Sequence, residues 1–144
     1  MDWTKIKHHA WKALVLFLIG GLIYAAIEIL WRGYTHWTMA VLGGLLFLLL
    51  GGLNNWLPWE MLLWMQCVIG AVIVTVAELL AGIILNIWLD LAIWDYSQLP
   101  GNILGQVCPQ FALAWCGLSL VAILLDDYLR YWLFHEEKPH YRLI

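Results

Sequence analysis

Charge is what this chain has least of. Charged residues make up 12% of its 144 positions, about half the share of roughly a quarter that keeps a soluble domain wet. With 64% hydrophobic residues and a mean hydropathy of +0.81, too little polar surface remains to cover a globule. Lipid therefore has to act as solvent, and the whole of residues 1–144 is expected to form one transmembrane domain. Seven basic residues against ten acidic ones, a net charge of −3, leave no electrostatic footprint for nucleic acid. The three cysteines (Cys67, Cys108 and Cys116) fall in apolar segments and read as buried free thiols rather than a disulfide or metal site. A cleavable signal is not expected, because the first apolar stretch is too long, lacks a small-residue cleavage motif and carries Glu28. Neither a metal, a cofactor nor a catalytic set is expected. His8-His9 is a weak metal signal at a wet terminus. Asp126-Asp127 lacks the second acidic cluster that a metal–diphosphate site requires, and reads as a solvated helix end.

What the chain does have is long apolar runs. A bilayer core of about 30 Å asks for about 20 apolar residues per helix, and four stretches qualify, at 11–33, 38–57, 61–88 and 103–125. Gly33 marks the first break, Asn54, Asn55 and Pro58 the second, and Asp90, Asp95, Ser97, Pro100 and Gly101 the third. The expected fold is all-α, a four-helix transmembrane bundle. Lys5, Lys7, Lys12, Arg130, Lys138 and Arg142 lie on one side and Arg32 alone on the other, which puts both termini in the cytoplasm by the positive-inside rule. Indoles favour the membrane interface. Trp11, Trp56, Trp59, Trp64 and Trp132 fall at the inner boundary, Trp31, Trp37, Trp88 and Trp94 at the outer one, and Trp115 lies inside a helix. Residues 126–144 read as an amphipathic cytoplasmic tail continuing the last helix.

Two acids break the apolar pattern in matching places. Residues 19–30 align without a gap on 69–80, and Ile19, Gly20, Ile23, Glu28 and Leu30 recur as Ile69, Gly70, Ile73, Glu78 and Leu80. The bundle is thus expected to consist of two repeated hairpins. A carboxylate at bilayer depth costs roughly 2.5–3.5 kcal/mol on insertion scales, so such acids have to meet something polar. Glu78, Gly82, Asn86 and Asp90 recur every four residues and share a helix face. Gly20, Tyr24, Glu28 and Arg32 do the same on the first helix, and Gln106, Gln110 and Gly117 on the fourth. Lipid satisfies none of these groups, so the stripes are expected to face the interior. Glu28 has an alternative in a local ion pair with Arg32, one turn on; Glu78 has no basic residue within a turn. Gly43-Gly44 and Gly51-Gly52 read as close helix packing, and His36 as an interfacial residue. The connection from Trp94-Asp95-Tyr96-Ser97 to Gly105-Gln106 is an ordered lid or a well-packed turn.

Several of these segments resemble the bacterial ABC-transporter permease family labelled CmpB or "type IV". They are Glu28, Trp31 to Thr38, Thr75 to Asn86 with Glu78 and Gly82, Trp94-Asp95-Tyr96-Ser97, and Gly105-Gln106-Val107-Cys108. The resemblance covers most of 19–130 and implies a multi-pass permease-like protein of the bacterial inner membrane. No phosphate-binding Gly-x-x-x-x-Gly-Lys-Ser/Thr loop occurs, so an ATPase would be a separate chain. Four helices are few for a transport path, which implies a homo-oligomer or partner membrane subunits besides membrane lipid. The favoured function is a small-solute transporter subunit whose substrate-binding residues are Glu28, Arg32, Glu78, Asn86, Asp95 and Gln106. Two alternatives stay open. One is a membrane-embedded enzyme acting on a lipid or isoprenoid by carboxylate acid/base chemistry; the other is a noncatalytic assembly subunit.

Overall fold

The computed structural model describes residues 2–53, 57, 58 and 61–143. Expectations for Asn54, Asn55, Trp56, Trp59 and Glu60 lie outside the described residues. Among the described residues four helices carry the fold: α1 (Trp3–Arg32), α2 (Trp37–Gly51), α3 (Leu63–Gly82, continued by a π-helical turn over Ile83–Trp88) and α4 (Pro109–Phe134). No strand occurs among the described residues beyond isolated bridges pairing Leu62 with Arg142 and Ile103 with Val107. Three helices among the described residues (α1, α3 with its π turn, and α4) are long and apolar enough to cross a membrane. The second stretch departs from expectation. At 15 residues, α2 rises about 22 Å, short of a hydrocarbon core of about 30 Å.

The contacts divide the chain into two units, Met1–Leu57 with Ala122–His140, and Pro58–Val121 with Tyr141–Ile144. In the first unit, α1 starts at Trp3 rather than 11, because the Asp2 side chain accepts from Thr4 N at 3.1 Å and caps the first turn. It ends at Gly33, whose φ of 82° only glycine adopts freely. His36 then caps α2 by accepting from Thr38 N through Nδ1. The α1–α2 pair closes on glycines, as the sequence pattern implies. Gly20 lies against the Phe47 ring, Gly43 against Tyr24, and Gly44 against Phe17. A Cβ added to Gly21 would sit 2.6 Å from the backbone oxygen of Ala40. Lys12 on α1 pairs with Glu136 at 3.1 Å and lies over the Phe134 ring.

In the second unit, α3 begins where Leu63 N donates to Arg142 O at 2.8 Å. It occupies almost the whole of the expected 61–88. The fourth helix does not begin at 103. Residues 103–108 form a turn with Leu104 and Gly105 at positive φ, and Pro109 opens the helix. It then runs unbroken to Phe134, so the expected continuation past 125 is helical. The solvated end expected at Asp126-Asp127 is not there, since the two residues are 0% and 6% exposed. Trp31, Trp37, Trp64, Trp88 and Trp132 are exposed near helix ends, Trp11 is exposed but lies more than two turns inside α1, and Trp94 is buried.

Candidate functional site

The four-residue spacing on α3 points Glu78, Gly82 and Asn86 along one face, and each meets a different part of the 89–108 connection or of α4. Gly82 leaves room for Gln106, since an added Cβ would come within 2.8 Å of the Gln106 Cβ. The Asn86 amide donates to Gln106 Oε1 at 2.8 Å and accepts from Ile93 N at 2.8 Å. Gln106 donates to Leu104 O at 3.0 Å, and its own carbonyl accepts from the Trp94 indole at 2.9 Å. The two amides thus knit the connection onto the end of α3. Three non-glycine residues of that connection, Asp90, Ala92 and Leu104, hold positive φ. Such backbone costs of order 1–3 kcal/mol each, which the surrounding hydrogen bonds and the burial of Ile93, Trp94 and Val107 offset.

Glu78 is 6% exposed. The Tyr96 hydroxyl donates to its Oε1 at 2.9 Å, and the Trp115 indole donates to its Oε2 at 2.9 Å. Tyr96 stacks on Phe111 with ring centres 4.7 Å apart and planes 9° from parallel, and Phe111 lies one helical turn before Trp115 on α4. A single carboxylate therefore joins α3, the connection and α4. The burial of Glu78 makes both bonds matter, because a buried carboxylate without its donors is costly, while the two donors themselves are half-buried. Trp115 and Phe111 were absent from the expected site. The one available signal was that Trp115 alone among the assigned indoles sits inside a helix, where its N–H has to find an acceptor.

The remaining expected residues divide clearly. Glu28 and Arg32 belong to the first unit and pair with each other along α1, with the Arg32 guanidinium 4.9 Å from the Tyr34 ring centre. Glu78, Asn86, Asp95 and Gln106 belong to the second. Asp95 is exposed and accepts from Ser97 N at 2.8 Å. Asp90 and Gln110 leave the expected interior stripes: both are exposed, and Asp90 lies beyond the helix end. No group of three His, Cys, Asp or Glu side chains that could hold a metal ion occurs among the described residues. Two open apolar clefts, about 530 and 440 Å³, run along α3 and the start of α4 and share Val68 and Cys116.

The Ser97 backbone N–H, with help from its hydroxyl, holds the Asp95 carboxyl below its ordinary 3.8. A depressed carboxyl stabilises the turn above that ordinary value and loses the contribution as pH falls through the lowered one. The Ser97 amide resonance is therefore expected to move on acidification below 3.8 in the wild type. With Asp95→Asn that step should vanish; an unchanged step would assign it to another group.

A family model described as "Putative ABC-transporter type IV" matches residues 36–138. The matched part contains Glu78, Asn86, Asp95 and Gln106, while Glu28 and Arg32 precede it. No curated protein and no solved structure matches the chain.

Proposed function

We propose, from the premise that this chain belongs to the type IV ABC-transporter family, that it is a permease-like membrane subunit handling a small solute at an intramembrane carboxylate. Family membership and three membrane-length helices make it a membrane protein of transporter kind. The finer proposal rests on one observation: Glu78, buried within a membrane-length helix, has each oxygen met by a neutral donor. A carboxylate met by such donors can exchange one of them for a donor on a solute. The contacts also tolerate a change of protonation. A neutral Glu78 carboxyl can donate to the Tyr96 oxygen while its other oxygen still accepts from Trp115, because a phenol works in both directions and an indole in one.

Around Glu78, the Asn86 and Gln106 amides supply further polar groups, and Asp95 stands at the rim of the connection. The Glu28–Arg32 pair contributes a second polar patch. We place the protein in the cell membrane as a single multi-pass domain of two related hairpins, with the basic N- and C-terminal segments in the cytoplasm, an arrangement that needs the shorter α2 to cross as well, by local thinning of the bilayer. Acyl chains of membrane lipid suit the apolar clefts. A second copy or partner membrane subunits complete the path, and a separate ATPase chain supplies ATP hydrolysis.

Native mass spectrometry of the protein drawn gently from its own membrane tests this. The expected spectrum shows a small solute and an ATPase chain travelling with it. A protein that carries neither, and instead converts an added lipid or isoprenoid to product, would overturn the proposal in favour of an enzyme.

A further inference from the structure

The first unit contains an acid that the proposed solute site does not use. Asp126 of α4 is 0% exposed. Its Oδ2 accepts from Arg130 Nε at 2.9 Å, whereas Oδ1 has no hydrogen-bond partner among the described residues. The carboxyl group lies directly against Gly51, the last residue of α2; a Cβ built there would overlap the carboxyl carbon and Oδ1. Glycine is what allows this approach. The end of α2 is also the negative pole of its dipole, equivalent to roughly half an elementary charge. A buried carboxylate oxygen without a donor, set against the negative end of a helix, is unfavourable on both counts.

The charged neighbours do not relieve it. Arg130 is engaged through Oδ2 and lies 3.8 Å from Glu136, while Lys12 of α1 is drawn to Glu136 at 3.1 Å. Asp127, 6% exposed, adds a further acid beside it, and α2 has no titratable side chain from Trp37 to Gly51.

We infer that Asp126 Oδ1 and the last turn of α2 form a binding site for one small monocation, either a proton or a sodium ion. A proton on Oδ1 turns that oxygen into a donor toward the α2 carbonyls. A sodium ion accepts the carboxylate oxygen and draws its other ligands from those carbonyls, as hard cations require. Unwound or terminal helix carbonyls hold such ions in transporters generally. The site does not depend on the solute proposed for Glu78.

Asp126→Asn is the discriminating variant. Its amide oxygen still accepts from Arg130, and its NH2 takes the place of the bound cation as a donor toward α2. The test uses the full chain in detergent and reads thermal melting while sodium chloride replaces choline chloride at constant ionic strength, at several pH values between 5.5 and 8. A ligand that binds only the folded state raises the melting temperature with its concentration. Wild type is expected to melt higher either with added sodium or, if the ligand is a proton, with falling pH alone, and Asp126→Asn is expected to lose that dependence. Wild type and variant responding alike to both would overturn the site. Should the variant fail to fold, a wild-type melting temperature indifferent to both sodium and pH would overturn it equally.

Discussion

Gly21→Ala is expected to destabilise the first unit by about 1–3 kcal/mol, the range for overpacking a tight interior. The sign is informative. Alanine is the better helix former by about 1 kcal/mol, so local propensity alone would make the variant more stable. The added methyl, however, meets the Ala40 carbonyl oxygen at 2.6 Å and its carbon at 3.4 Å, both backbone atoms that no rotamer change moves. Relief requires α1 and α2 to separate. Separation loosens the three other seats at Gly20, Gly43 and Gly44 together with the rings they receive, Phe47, Tyr24 and Phe17. Denaturant titration of the purified variant, with Leu22→Ala on the 69%-exposed face of α1 as the near-silent control, reads the difference. A Gly21→Ala protein as stable as wild type would mean that the two helices do not pack through this seam.

Glu78→Leu is expected to cost about 2 kcal/mol, since it takes the acceptor from the half-buried Tyr96 hydroxyl and Trp115 indole, toward the lower end of the roughly 1–3 kcal/mol that each fully buried orphan donor would cost. The loss should be local first. Amide hydrogen exchange across 89–108 should quicken more than across α1. Glu78→Gln is a different case, because its amide oxygen accepts from Trp115 while its NH2 donates to the Tyr96 oxygen. Its destabilisation should stay under about 1 kcal/mol, within the net worth of an ordinary hydrogen bond. Equal losses in the two variants would show that the carboxylate charge, rather than its accepting geometry, holds the connection.

How much of this was legible in the residues varies with the physics involved. Apolar length alone located α3 to within two residues of its start, and the four-residue step correctly put Glu78, Gly82 and Asn86 on one face. The same step failed at Asp90. The π turn over Ile83–Trp88 changes the rotation per residue, and Asp90 falls beyond the helix at positive φ. Hydropathy also read through residues 103–108, where Gly105 and the Ile103–Val107 bridge fold the chain back before Pro109 opens α4. A pair of adjacent aspartates carries no mark of burial. Asp126 is enclosed because Gly51, 75 positions earlier, admits it, a tertiary fact that no local period encodes. The family match over 36–138 agrees with the resemblance and takes in Thr75 to Asn86, Trp94 to Ser97 and Gly105 to Cys108, while Glu28 and the segment from Trp31 to Thr35 precede it.

The Glu28–Glu78 likeness is a likeness of sequence with unlike surroundings. Glu28 pairs with Arg32 inside its own helix, while Glu78 reaches Tyr96 and Trp115 on other elements. The proposed solute site therefore rests on Glu78. The most direct measurement purifies wild type and Glu78→Gln in the same lipid nanodiscs and compares their bound small molecules by native mass spectrometry, with melting curves confirming that both are folded. The solute should be present in wild type and missing from Glu78→Gln at unchanged fold; an identical bound complement in the two proteins would contradict a carboxylate site at Glu78.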